Sequence, residues 1–172
     1  RMPVDPRLGR MLLEGARRGC LKQVQVLVAA LTVPDVRERP ADHQQRADEL
    51  HRRFWAGVPG RDEPAPQGGE PLRHTAHTGT RPDSAPRKVP EGGDFEAIWN
   101  LWHYLRANRR RLSGNAFRRL CRDEFLHFLR FREWEDLVSQ LRAASRELDL
   151  GEEREGSMPD VLTSLLAGLL SH

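Results

Sequence analysis

Asp94-Phe95-Glu96-Ala97-Ile98-Trp99-Asn100-Leu101-Trp102-His103-Tyr104-Leu105 is the stretch on which the fold turns. Phe95, Ile98, Trp99, Trp102 and Leu105 fall at i, i+3, i+4, i+7 and i+10, one face of an α-helix, and Asp94 is an N-cap residue type. Working outward, the same period recurs. Ser113 or Asn115 starts a helix with Phe117, Leu120, Cys121, Phe125 and Phe128 on one side. A further helix, about 131–149, carries Trp134, Leu137, Val138, Leu141 and Leu148. An acidic break at 151–156 precedes a last apolar segment, 161–170, with Leu162, Leu165, Leu166, Leu169 and Leu170 as its stripe. Toward the N-terminus, Asp5-Pro6 is an N-cap followed by Pro at the first helical position, with Leu8, Met11 and Leu12 behind it and Gly19 as the stop. A second helix, from about Cys20 to Leu31, repeats Leu21, Val24, Leu27, Val28 and Leu31 on one face, and Pro34 ends it. A third, mostly polar, follows Asp42 and reaches Phe54-Trp55, with Ala47, Leu50 and Phe54 as its apolar side. No β-branched alternating run occurs, so the fold class is all-α, a helical bundle. Phe95, Trp99, Trp102, Phe117, Phe125 and Trp134 are the expected aromatic core.

Residues 57–93 interrupt this pattern. They carry 7 of the 12 prolines, 7 of the 14 glycines and no Phe, Trp or Tyr. Such a stretch has nothing to bury and reads as a long disordered insertion. Because 1–56 is too short to bury a good core unaided, the insertion is expected within one helical domain. The expected organisation is a first half at 1–56, the insertion at 57–93, a second half at 94–150, and a linker with a final segment at 151–172.

The chain has 172 residues and a net charge of only +3, but the charge is segregated. Residues 106–132 hold nine Arg against Asp123 and Glu124, whereas 133–160 hold nine acids against three Arg. Only Lys22 and Lys88 are lysines, so the basic residues are almost all forked guanidinium groups, suited to phosphates and to stacking on bases. Two cysteines 101 positions apart make neither a disulfide framework nor a metal cluster and fit a reducing cytosol. No segment is apolar enough for a membrane span, no secretory leader opens the chain, and a start without Met reads as a fragment. No phosphate loop, dinucleotide fingerprint, His-Glu-x-x-His or nucleophile elbow is present, and no catalytic constellation or metal site emerges.

Pro3-Val4-Asp5-Pro6-Arg7-Leu8-Gly9-Arg10-Met11-Leu12-Leu13, then Gly19-Cys20 and Val26-Leu27-Val28-Ala29-Ala30-Leu31, resembles DEAH-box RNA helicases at the junction of their winged-helix and ratchet-like helical domains. Arg37-Glu38-Arg39-Pro40 with the later Phe54 is similar to the family's Arg-Pro step. Asp94-Phe95, Asn100-Leu101-Trp102, Phe117-Arg118-Arg119-Leu120-Cys121 and Trp134-Glu135-Asp136-Leu137 follow in the same order, in wording of the bacterial HrpA type. Leu165-Leu166-Ala167-Gly168-Leu169-Leu170-Ser171-His172 resembles the start of the family's oligonucleotide-binding (OB) region, cut off.

The resemblance implies a cytoplasmic, ATP-dependent RNA helicase as parent, using ATP and magnesium through motor domains absent from these 172 residues. It implies single-stranded RNA as partner, along with the motor, winged-helix and OB-fold domains of the same chain. The helical domain would form one wall of the RNA channel and couple motor movement to translocation. A wall that grips backbone charge without reading sequence suits arginines. The candidate RNA-binding residues are Arg118, Arg119, Arg122, Arg130 and Arg132, with Arg37 and Arg39 next. The alternative is a non-catalytic helical protein-interaction module, whose arginine block meets an acidic protein or its own residues 133–160.

Overall fold

The computed structural model describes residues 5–54 and 93–170. Among these residues there are seven helices. The first, α1 (Pro6–Arg17), opens as its residues dictate: the Asp5 side chain accepts from Arg7 N–H at 2.8 Å, and Pro6 takes the first turn. Gly19 turns the chain at φ 70°, a left-handed conformation that side chains resist, and delivers it into α2 (Leu21–Thr32). Then come α3 (Gln44–Arg52), α4 (Gly93–Arg111), α5 (Gly114–Asp123), α6 (Phe128–Glu147) and α7 (Met158–Leu169). Asp94 and Glu96 lie in the first turn of α4, where carboxylates oppose the helix dipole, instead of Asp94 preceding it. The expected insertion lies outside the described residues except for Gly93, as does Trp55.

The bundle is arranged around α2, which packs on α1, α4, α6 and α7. The sequence pattern predicts one buried stripe; instead α2 is buried on all sides from Val24 to Ala29, and Leu31, expected inside, is 53% exposed. Trp134 of α6 donates its indole N–H to the Val26 carbonyl at 2.9 Å, tying α6 to this helix. Segment 151–156 runs past its N-terminus: Lys22 N–H donates to the Arg154 carbonyl, and Gln23 exchanges two hydrogen bonds with the Gly156 backbone at 2.7 and 2.9 Å.

Trp99, Trp102, Phe117 and Trp134 are core, as expected. Phe95 is half-buried against it. Phe125 is also half-buried and belongs to no helix. Residues 124–127 break the single helix expected from Ser113 through Phe128, because Phe125 adopts φ 55° and its carbonyl, with His127 N–H, pairs with residues 36–38 at 2.8 and 2.7 Å. A local period carried across that break could not reveal a pairing supplied by a distant loop. The α6 helix therefore starts at Phe128 and stops before Leu148, which is exposed. Cys20 and Cys121 are buried and free; burial, then the Glu124 charge, push the Cys121 thiol up to about 12, which makes it a packing group.

The final helix docks by a different face from the one its leucines advertise. Val161, Ser164, Leu165 and Gly168 are buried, while Leu162, Leu166, Leu169 and Leu170 face outward. The fit on α1 depends on Gly168: a Cβ there would stand 2.6 Å from the Arg7 carbonyl and 2.3 Å from Met11 Cγ. Gly168→Ala should therefore lower stability by about 1–3 kcal/mol. Gly9→Ala, in α1 with nothing within 4 Å, should raise it by about 0.5–1 kcal/mol. Trp102→Ala, which removes a ring 4.9 Å from that of Trp134, should cost about 3–5 kcal/mol. Urea unfolding of each variant measures all three.

Candidate nucleic-acid interface

The basic block 106–132 is divided by the fold into a neutralised and an open part. The last turns of α4 supply Arg106 and Arg109, and both pair with Glu135 of α6, a carboxylate 9% exposed. Arg106 also lies 5.5 Å over the Trp102 ring. These contacts join the basic block to the acidic one.

The α5 arginines are free of such partners. Ser113 caps α5 through Ala116 N–H, and Phe117 and Cys121 turn inward. At 100° per residue, Arg118, Arg119 and Arg122 then fall within about 100° of arc on the outer side, and all three are exposed. Arg122 is 3.7 Å from its exposed neighbour Asp123, a contact of little strength. Among the described residues no carboxylate pairs with Arg118, Arg119 or Arg132.

The end of α4, the start of α5 and the start of α6 enclose an open pocket of about 350 Å³. Leu112, Phe117 and Phe128 form its floor, and Arg109, Arg118 and Arg132 its rim. Arg132 is one helical turn beyond Phe128, which places both on the same side of α6. The Arg118 guanidinium lies 4.9 Å over the Phe128 ring. Phe128 in turn meets Phe117 edge-on at 5.9 Å, so the floor is anchored in the core. Arg109, Leu112 and Phe128 were not singled out as site residues by the sequence; the Arg109-Arg110-Arg111 run at a helix end was the available signal.

The other candidates lie elsewhere. Arg37 forms two hydrogen bonds with Asp35 at 3.1 Å, and Arg130 reaches the Asp35 carbonyl at 3.0 Å. Burial opposes the Asp35 charge, but Arg37 outweighs it and holds the carboxyl below its ordinary pKa. Arg39 makes a two-pronged pair with Asp48 at 2.7 Å, and this hydrogen bonding lowers the Asp48 pKa. Arg118, Arg119, Arg122 and Arg132 thus share one region, and Arg37, Arg39 and Arg130 surround the 35–48 loop.

Behind α5 sits a partly buried polar knot. Arg53 pairs with Glu124 at 2.7 Å and covers the Tyr104 ring at 4.5 Å, while the Tyr104 hydroxyl donates to the same carboxylate at 2.6 Å. Burial, then Glu124, push the Tyr104 pKa far up, so it stays a donor. His51 Nε2–H donates to the Glu124 and Phe125 carbonyls at 3.0 and 3.1 Å, closing the end of α5. The sequence has no phosphate loop, and no cluster of metal-binding side chains occurs among the described residues. No helix among them is long and apolar enough to cross a membrane.

The helicase associated domain (HA2), ratchet-like, matches residues 5–126. The chain belongs to this family. It is 39% identical, over 99% of its length, to the ATP-dependent RNA helicase HrpA of Escherichia coli strain K12, and 37% identical over the same share to the HrpA homologue of Haemophilus influenzae. It covers 11% of each, so the chain spans about a tenth of these relatives. Over 30% of the chain and 4% of the relative it is 33% identical to the pre-mRNA-splicing factor ATP-dependent RNA helicase prp22 of Schizosaccharomyces pombe. These matches make it an HA2 region of the HrpA type of DEAH helicase.

The knot carries a pH signature. Burial, the largest effect, lowers the His51 pKa despite its two backbone acceptors. The unfolded chain then binds the extra proton more readily than the folded one, so His51 favours folding more as pH rises. Stability should fall as pH drops through the unfolded value of about 6.5. The fall from pH 7 to 5 should be shallower in His51→Gln, measured by urea unfolding at each pH.

Proposed function

We propose that this HA2 region is the accessory part of an ATP-dependent RNA helicase that holds single-stranded RNA by its backbone and couples motor movement to translocation. The observation that carries the reading is the group Arg118, Arg119, Arg122 and Arg132, exposed together and lacking strong carboxylate partners. Like charges held this close repel one another unless a polyanion meets them. Guanidinium groups projecting from a firmly packed helix suit phosphates at changing positions along a strand and read no bases. ATP and magnesium belong, in this reading, to motor domains of the same chain, with winged-helix and OB-fold domains as further intramolecular neighbours. The neutralisation of Arg106 and Arg109 by Glu135 supports one element of the interaction-module alternative, contact between the two charge blocks, but does not extend to α5.

The test is equilibrium binding of unstructured RNA to the full-length protein over a salt series. Replacing Arg118, Arg119 and Arg122 together by Ala should weaken all sequences about equally. It should also flatten the log–log salt slope by about 2, at about 0.7 per phosphate contact on a single strand. RNA-stimulated ATP turnover should fall in the same variant. Unchanged stimulation and slope would remove these arginines from the RNA path and return the basic block to a protein-docking role.

A further inference from the structure

The geometry points to the α4–α5–α6 pocket as a subsite for one unstacked base of the single strand, with Phe128 as its stacking platform and Arg118 as the group the base displaces. This inference rests on the RNA reading above and adds a contact that backbone gripping does not require. The pocket's volume of about 350 Å³ is near the lower end of the range for small-ligand sites, about 300–1,000 Å³. That admits a single nucleotide and excludes a duplex. Its chemistry is divided as a nucleotide is: an apolar and aromatic floor below, guanidinium groups at the mouth. The Arg118 guanidinium carbon lies over Phe128, the place a planar base would take. It is exposed and attached to no carboxylate, so it can swing outward to the adjoining phosphate without breaking an ion pair. Arg109 cannot move so freely, because Glu135 holds it, and it gives the pocket a fixed polar wall. Phe128 is held in turn by Phe117, itself buried against Phe131 at 5.7 Å. The platform is therefore preformed, and its affinity is not spent on ordering a side chain.

An abasic scan tests the subsite. A uridine 12-mer is prepared with one abasic ribose at each position in turn, and its affinity for the full-length protein is measured without ATP. In the wild type, the abasic step at one position should include a loss of about tenfold through this pocket, the order of one base–aromatic stack. Phe128→Leu keeps an apolar group against Phe117 but removes the ring, and should abolish that contribution while leaving the steps at other positions. Gly114→Leu is the second variant: Gly114 lines the pocket, and a Cβ there meets nothing within 4 Å, so the backbone has room for a side chain that would narrow the pocket. It should erase the same contribution. A scan profile identical in wild type and both variants overturns the subsite. If the triple arginine variant still flattens the salt slope in that case, backbone gripping stands and only the base contact fails. If it leaves affinity and slope unchanged, the RNA reading itself fails.

Discussion

From Leu21 to Ala29 every residue of α2 except Lys22 is buried, and the rest of the bundle is arranged to make that possible. A helix surrounded on all sides must be apolar all round or have its polar groups met. Gln23 and Gln25 are the exceptions in this run. Gln23 satisfies both ends of its amide on the Gly156 backbone, and Gln25 donates to Ser145 at 3.0 Å. The Gln25 Oε1 has no hydrogen-bond partner, a standing cost at that position. These bonds dictate where 151–156 and the end of α6 must run. The acidic segment is thereby drawn to the N-terminal end of α2, where Glu155 meets Lys22 at 3.3 Å.

From α2 an unbroken series of rings leads to the surface. Trp134 is hydrogen-bonded to the Val26 carbonyl and meets Trp102 at a tilt and Phe131 edge-on; Phe131 meets Phe117, and Phe117 meets Phe128. Aromatic pairs of this kind have preferred geometries, so each ring constrains the next. The consequence is felt at the pocket floor, which a loop could not hold as firmly. Glu135, one residue after Trp134, uses the same anchoring to hold Arg106 and Arg109. A single turn of α6 thus serves both the core and the edge of the basic surface.

What could be read from the sequence was whatever is decided locally. Asp5-Pro6 and Ser113 begin helices because their side chains cap the adjacent N–H groups, and the Trp99 and Trp102 spacing places both inside. What could not be read depends on partners far along the chain. The break at Phe125 needs residues 36–38, and the inward face of α7 is chosen by the close approach of Gly168 to α1, against the stronger leucine stripe. The candidate site divides in the same way. Concentrated charge marked 106–132 as the basic region, but nothing local says that Glu135 takes Arg106 and Arg109, that Asp35 takes Arg37, or that Arg118 and Arg132 are left to converge.

That convergence brings two arginines with no carboxylate partner among the described residues to one pocket. Several arginines elsewhere are matched: Arg10, Arg17 and Arg18 all approach the buried Glu14, Arg39 has Asp48, and Arg142 has Glu153. A helical surface with 25 acidic residues in the chain has ample means to neutralise α5 as well. It does not, and the helix accepts the repulsion among neighbouring guanidinium groups in the absence of ligand. On the proposed reading, arriving phosphates would relieve this repulsion, and the cost borne by the free protein would become part of the driving force for binding. Because each exposed contact is screened by salt, the same arrangement would also let a bound strand segment go. On the proposed reading, a surface that passes a polymer along without retaining it needs both properties.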